Sequence, residues 1–61
     1  MYKIYFVNFE YYSPATFETL DAAKVYCRAK SFESRIDLNG SPIMTWSPVS
    51  GFSNLYIRAY L

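Results

Sequence analysis

Apolar and polar residues recur along this chain with spacings that predict strands at both ends and a helix between them. Residues 2–12 are rich in tyrosine, isoleucine, phenylalanine and valine, the types that favour strands. Both alternating faces of this segment carry apolar groups, so we expect a central strand that is covered on both sides. Ser13-Pro14 then predicts a break in the strand.

A helix is predicted from about Leu20 to Lys30. Thr19 is a suitable N-cap, because its hydroxyl can accept a backbone N–H of the first turn. A helical wheel groups the residues that we expect to face the sheet: Ala22, Ala23, Tyr26 and Ala29, with Leu20, Val25 and Cys27 at the margins. The opposite, solvated stripe consists of Asp21, Lys24 and Arg28.

Asn39-Gly40 predicts a tight hairpin turn, because both residues tolerate the positive φ of a type I′ turn. The predicted cross-strand pairs are Leu38 with Ser41, Ile36 with Ile43 and Ser34 with Thr45. On the other face this register places Arg35 opposite Met44. Pro42 cannot donate a ladder hydrogen bond, so strand 41–46 is expected to begin at an edge.

The last segment follows a loop at residues 47–51 and alternates from Asn54 to Leu61. Its apolar side chains point one way, and its aromatic and basic side chains, Tyr56, Arg58 and Tyr60, point the other. Together these elements predict an α+β fold, with a single helix packed on a mainly antiparallel four-stranded sheet in the order β-α-β-β-β. We expect residues 1–61 to form one compact domain.

Composition supports a folded binder and gives little support to other classes. Of the 61 residues 52% are hydrophobic and 21% aromatic, which argues against disorder. The net charge of +1 lacks the basic excess of a dedicated nucleic-acid binder. No apolar run is long enough for a membrane span, and no signal peptide is expected. The single cysteine, Cys27, agrees with a cytoplasmic location and is expected to be a small buried hydrophobe.

The candidate chemistry is sparse. The chain has no histidine, which removes the commonest general base and metal ligand. Cys27 lies in the predicted helix without a histidine to activate it. No spacing matches a zinc, calcium or phosphate-binding motif, so no metal, cofactor or catalytic residue is assigned. The five carboxylates are expected to be surface charges. We therefore predict that the chain is not an enzyme.

A sheet with one helix has a second face, and that face is the predicted site of partner binding. Tyrosine, tryptophan and arginine dominate binding hot spots. The predicted contact residues are Tyr56, Arg58, Tyr60, Trp46, Met44 and Arg35. Two interpretations of Trp46 are open: it plugs the small core from its edge, or it forms an exposed rim with Met44 and Phe52 around loop 47–52.

Two further functions compete with binding of a partner protein. The aromatic face could be buried in a homodimer without any other partner, a common solution for chains with a small core. Alternatively, aromatic residues on a sheet beside Arg58, Arg35 and Lys3 could stack the bases of single-stranded nucleic acid. The near-zero net charge argues against the second function, because phosphate contacts supply most of the affinity.

One segment carries a resemblance to a known class. The sequence Phe17-Glu18-Thr19-Leu20-Asp21-Ala22-Ala23, followed by strands and a Trp46-Ser47-Pro48 turn, resembles small bacteriophage-encoded proteins. Its helix start is similar to that of the T7 phage inhibitor of host RNA polymerase. The resemblance implies a compact phage protein that binds a host enzyme or defence complex in the host cytoplasm. That inhibitor has a strongly charged surface, which this chain lacks, so no polymerase-contacting residue is carried over.

Overall fold

A computed structural model describes residues 1–55 of the chain, which form one helix and five strands. In chain order the elements are β1 (Tyr2–Phe6), β2 (Tyr11–Phe17), α1 (Leu20–Lys30), β3 (Ser34–Leu38), β4 (Ser41–Ser47) and β5 (Gly51–Asn54). The sheet order is β2-β1-β3-β4-β5, and every neighbouring pair is antiparallel. The predicted α+β class is confirmed, but the four-stranded order β-α-β-β-β is replaced by the five-stranded order β-β-α-β-β-β.

The extra strand comes from the segment predicted as one strand at residues 2–12. This segment folds back on itself, and β1 pairs with β2 across a turn at residues 7–10. Glu10 closes the turn by donating its N–H to the Phe6 carbonyl at 2.8 Å, with a left-handed φ of 58°. β1 lies between two strands, as predicted. The chain does not break at Pro14, because β2 is at the edge of the described sheet, where a missing N–H is tolerated.

The helix begins and ends as predicted. The Thr19 hydroxyl accepts the Ala22 N–H at 3.2 Å, which satisfies one free donor of the first turn. At the other end Ser31 adopts a left-handed φ of 59° and donates its N–H to the Cys27 carbonyl. No helix within residues 1–55 has the length and apolar character needed to cross a bilayer.

The helix is rotated from the predicted orientation. Ala23 and Cys27 are buried against the sheet, whereas Ala22 and Ala29 are exposed. The charged groups of Lys24 and Arg28 lie over the ring of Phe52, at 5.0 and 5.5 Å from its centroid. A cation over the face of an aromatic ring is attracted by the electrons of the ring, so these two residues pack the helix against β5.

One core lies between the helix and the sheet. Its buried side chains come from four elements: Ile4, Phe6, Ala23, Cys27, Ile36, Met44 and Trp46. Cys27 is fully buried within this core, as predicted for a small hydrophobe.

The β3–β4 hairpin departs from its predicted register after two pairs. Leu38 lies opposite Ser41 as predicted, but Ile36 pairs with Met44 instead of Ile43, and Ser34 pairs with Trp46. The register shifts between Ile36 and Asp37, beside the pair of Asp37 with Pro42. Because Pro42 has no N–H, the ladder is interrupted there and one additional β4 residue is accommodated as a bulge. The shift turns Met44 and Trp46 toward the helix.

The loop predicted at residues 47–51 is a shorter turn. Ser47 pairs with Gly51, and the Ser47 hydroxyl accepts the N–H groups of Val49 and Ser50 at 3.2 and 2.9 Å. The final strand therefore begins at Gly51, three residues before the predicted start at Asn54. Most of the predicted final strand, residues 56–61, lies outside the described part of the chain.

Candidate functional site

The face of the sheet opposite the helix, called the open face below, carries a continuous row of side chains. Successive antiparallel pairs align one residue from each strand directly across the sheet. In sheet order these residues are Tyr12, Tyr5, Arg35, Thr45 and Ser53. Adjacent strands lie about 4.8 Å apart, so the row spans roughly 20 Å. Arg35 is at its centre.

Arg35 is fixed by a carboxylate on its own strand. Its Nε donates to Asp37 Oδ1 at 2.8 Å, and its Nη2 donates to Asp37 Oδ2 at 2.9 Å. Residues two apart on a strand share a face, so β3 itself aligns the planar fork with the carboxylate. Asp37 is only 2% exposed, whereas the Arg35 side chain remains 31% exposed.

Two tyrosines complete this group. The Tyr12 hydroxyl donates to Asp37 Oδ2 at 2.5 Å and accepts from Arg35 Nη2 at 2.9 Å. The guanidinium of Arg35 lies 4.6 Å from the centroid of Tyr5, whose ring packs edge-on against Tyr12 at 5.0 Å. Tyr5, Tyr12, Arg35 and Asp37 are called the Arg35 cluster below. Because the guanidinium is held both by hydrogen bonds and by stacking, its orientation is set before any partner binds.

The electrostatics of the Arg35 cluster favour its charged, hydrogen-bonded form. Burial acts to raise the pKa of Asp37, but hydrogen bonds from Arg35 and Tyr12 and the Arg35 charge outweigh it. The pKa of Asp37 therefore lies below its ordinary value of 3.8. The hydrogen bond to Asp37 raises the pKa of Tyr12 above 10.0, and burial and the Asp37 charge add to this shift. Near neutral pH Asp37 is thus an anion and Arg35 a cation, and the Tyr12 phenol between them is neutral.

An open depression of about 390 Å³ lies beside the Arg35 cluster. Tyr12 and Asp37 form one side of it, and the Asn39-Gly40 turn forms another. Lys3 also lines the depression; it lies opposite Asp37 in the ladder and is exposed. The depression is large enough for a single side chain of a partner, with the Lys3 ammonium and the Asp37 carboxylate at its wall.

Of the contact residues predicted from the sequence, the structure places one on the open face. Arg35 lies at the centre of the row, opposite Thr45 instead of Met44. Met44 and Trp46 lie in the core, 7% and 8% exposed. The interpretation of Trp46 as a core plug is therefore confirmed, and the exposed rim around loop 47–52 is contradicted. Tyr56, Arg58 and Tyr60 lie outside the described residues, so their role stays a prediction.

Sequence reasoning missed Asp37 and Tyr12 as members of the site. The Arg35-x-Asp37 spacing on a predicted strand was a usable signal, because residues i and i+2 share one face. Tyr12 gave no comparable signal, since its position beside Arg35 depends on the turn at residues 7–10, which the sequence does not predict.

Residues 1–55 hold no other obvious chemical centre. Within that range no three histidine, cysteine, aspartate or glutamate side chains are grouped to hold a metal ion. Burial raises the pKa of the Cys27 thiol above 9.0, so the reactive thiolate is disfavoured at neutral pH.

Comparison with known proteins finds no relative of this chain. No family model, no curated protein and no solved structure matches the chain, so its function is inferred from its own residues.

Proposed function

We propose that this chain is a non-catalytic protein-interaction module whose open face binds a partner protein. The observation that carries the proposal is the Arg35 cluster: an arginine and two tyrosines fixed at the centre of a sheet face that the helix does not cover. Arginine and tyrosine are enriched at binding hot spots. A side chain that is already ordered loses little conformational entropy on binding, which favours affinity.

The composition of the open face also favours a protein over nucleic acid. Among residues 1–55, Lys3 and Arg35 are the basic side chains of the row and depression, and Arg35 is paired with Asp37. The Met1 ammonium at the depression donates to Asn39 Oδ1. Phosphate contacts need free cations, so the described part of this face offers little affinity for a nucleic-acid backbone. The Tyr5–Tyr12 pair is edge-to-face, at 65° between rings, which does not present two coplanar stacking surfaces.

The identity of the partner is proposed from the sequence resemblance alone. A compact phage protein that modulates a host enzyme or a defence complex in the host cytoplasm fits a small binding module without catalytic groups. The homodimer remains the competing proposal. Tyr56, Arg58 and Tyr60 are retained as further proposed contacts.

Two matched variants test the open face. Thr45→Arg adds a long cation beside Arg35 in the row, whereas Ala29→Arg adds the same side chain to the exposed surface of the helix. Each variant and the original chain are immobilised and exposed to bacterial lysates, and the retained proteins are quantified by mass spectrometry. We expect a specific partner to be retained by Ala29→Arg and lost by Thr45→Arg.

Circular dichroism must first show that both variants are folded. If a specific partner is lost equally with both variants, or is retained equally by both, the open face is not the binding surface. If sedimentation instead shows a stable dimer that Thr45→Arg dissociates, the open face is a homodimer interface and the proposal of an external partner there fails.

A further inference from the structure

A second group of exposed aromatic side chains lies at the end of the sheet where β1 ends and β2 and β3 begin. Phe9, Tyr11 and Phe32 are 53%, 52% and 43% exposed. The ring of Phe9 lies 5.0 Å from that of Phe32 and 6.3 Å from that of Tyr11. These three residues are called the aromatic patch. Both Tyr11 and Phe32 rest edge-on against the buried ring of Phe6, each at 5.7 Å.

The backbone below the aromatic patch is fixed in an unusual way. Turns between strands usually carry glycine, proline, asparagine or aspartate, but residues 7–10 include Val7 and Phe9. Glu10 adopts a left-handed φ of 58°, which is unfavourable for a side chain without a short polar group. The Val7 N–H donates to the Glu33 carbonyl at 3.1 Å, which ties the turn to the start of β3. Strain and exposed apolar groups in one turn are typical of a functional segment.

The size of the aromatic patch limits what can cover it. Aromatic side chains bury roughly 150–250 Å² each, so these exposed fractions correspond to an apolar surface on the order of 300 Å². A stable protein dimer buries about 800 Å² on each partner. A second copy of this chain would therefore need much more surface than the patch offers. A short segment that inserts one or two apolar side chains needs no more area than the patch offers.

The charged residues next to the aromatic patch in the sequence are acidic. Glu10 lies between Phe9 and Tyr11 in the chain, and Glu33 directly follows Phe32; both are exposed. Within residues 1–55 neither glutamate takes part in an ion pair. Lys30 is the nearest basic residue in sequence, and its ammonium is held 5.4 Å from the centroid of Tyr26. An apolar surface with an acidic border complements an apolar side chain with basic neighbours.

We propose that the aromatic patch binds a short segment of a protein partner in which a large apolar side chain is flanked by lysine or arginine. The apolar side chain packs on Phe9 and Phe32, and the flanking cations lie near Glu10 and Glu33. The patch is separate from the open face, because it surrounds Phe6 on the side of the sheet that carries the helix. The chain thus offers two binding surfaces, which goes beyond the function proposed above.

The test uses two blocked synthetic peptides and nuclear magnetic resonance of the full chain. One peptide has a leucine–tryptophan–leucine centre between lysine pairs, and the matched peptide has glutamates in place of the lysines. We expect saturable shifts of the ring signals of Phe9, Tyr11 and Phe32 with the lysine peptide, and affinity at least about tenfold weaker for the glutamate peptide.

Two variants separate the contributions of the apolar surface and the charges. Phe9→Ser removes the most exposed ring and is expected to weaken the lysine peptide by about tenfold or more. The double variant E10Q/E33Q keeps the apolar surface and is expected to weaken it by about fivefold. Thr45→Arg is the control on the open face, and it should bind the lysine peptide as the original chain does.

Three outcomes would overturn the proposal. The first is the absence of saturable shifts at the aromatic patch up to millimolar peptide. The second is equal binding of the lysine and glutamate peptides. The third is a dimer, seen in sedimentation, that Phe9→Ser dissociates, which would assign the patch to a second copy. Loss of lysate capture by Thr45→Arg leaves this peptide result unchanged, so the two proposals fail independently.

Discussion

The Arg35 cluster and the aromatic patch both bring large side chains to the surface, but different interactions hold these side chains in place. In the Arg35 cluster every member is tied by hydrogen bonds or stacking, and the buried carboxylate of Asp37 depends on its neighbours. In the aromatic patch the ring of Phe9 packs against the rings of Tyr11 and Phe32 and has no polar group to satisfy. We therefore expect the cluster to contribute to stability as well as to the proposed binding, whereas the outer ring of the patch should contribute chiefly to the proposed binding.

Phe6 links the patch to the core, and its removal is expected to have the largest effect. Phe6→Ala deletes a ring that is 4% exposed and contacts Tyr11, Tyr26 and Phe32. We expect a loss of about 3–5 kcal/mol in the free energy of unfolding. A chain of this length has roughly 3–9 kcal/mol in total, so the variant should lose at least about a third of its stability. Urea denaturation followed by circular dichroism measures the loss; a loss below about 1 kcal/mol would contradict the core role of Phe6.

Arg35→Ala tests whether the cluster is structural. The change leaves the Asp37 carboxylate buried with Tyr12 as its remaining side-chain donor, and we expect it to cost about 2–3 kcal/mol. The double variant R35A/D37A also removes the buried Asp37 carboxylate and should recover part of that loss. Urea titrations of both variants and of D37A alone complete a double-mutant cycle. A coupling near zero would show that the ion pair is not an energetic unit.

The pH dependence of stability should also come from the cluster. Because the folded chain lowers the pKa of Asp37 below 3.8, its contribution is fully present above that value and is lost as pH falls through the folded pKa. Tyr12 has the opposite sign: its raised pKa gives a contribution present below 10.0 and lost as pH rises through the folded pKa. Urea midpoints between pH 2 and pH 7 should fall more for the original chain than for Asp37→Asn. Equal acid slopes would exclude Asp37 as the cause.

Replacing Glu10 with glycine should stabilise the fold while leaving the rings of the aromatic patch in place. Glu10→Gly relieves a left-handed φ, and we expect a gain of about 0.5–1 kcal/mol. Ser31→Gly is the matched control, because Ser31 has nearly the same φ at the end of the helix, away from the turn. Thermal unfolding should show similar gains for the two variants. A loss with Glu10→Gly alone would mean that the Glu10 side chain supports the turn.

The smallest expected effect on stability is that of Phe9→Ser. The ring is 53% exposed, so its loss should change the free energy of unfolding by no more than about 0.5 kcal/mol. The same variant is the one expected to weaken peptide binding most. A destabilisation above about 1.5 kcal/mol would place Phe9 with Phe6 in the core and end the contrast between patch and cluster.

Elements whose structure is decided by neighbouring residues could be predicted from the sequence. The helix from Leu20 to Lys30, its Thr19 cap and the Asn39-Gly40 turn follow from hydroxyl capping and from residues that tolerate positive φ. The β1–β2 turn gives a weaker signal, because Asn8 is its one turn-favouring residue and Glu10, not Asn8, adopts the left-handed φ. Its conformation is imposed by strand pairing on either side.

The candidate site was only partly predictable, because pairing between strands decides which of its residues share a face. Arg35 was assigned to a face from the period of its strand, which survives a shift in register. Counting across the hairpin predicts Met44 on the side of Arg35 and leaves Trp46 open between core and rim, and the bulge beside Pro42 turns both toward the helix. The predicted helix face is wrong because hydrophobicity alone ranks alanine above lysine, whereas the charged groups of Lys24 and Arg28 lie over the ring of Phe52.

Pro14 in the edge strand has a consequence for how the protein behaves at high concentration. A long, flat edge rich in tyrosine and phenylalanine is a template on which a second copy can add a strand and begin a fibril. β2 has this composition, but Pro14 removes one donor from its middle, and the pairing with β1 is irregular between Lys3 and Tyr5. The same proline that the sheet tolerates at its edge thus opposes aggregation in a chain that is 52% hydrophobic.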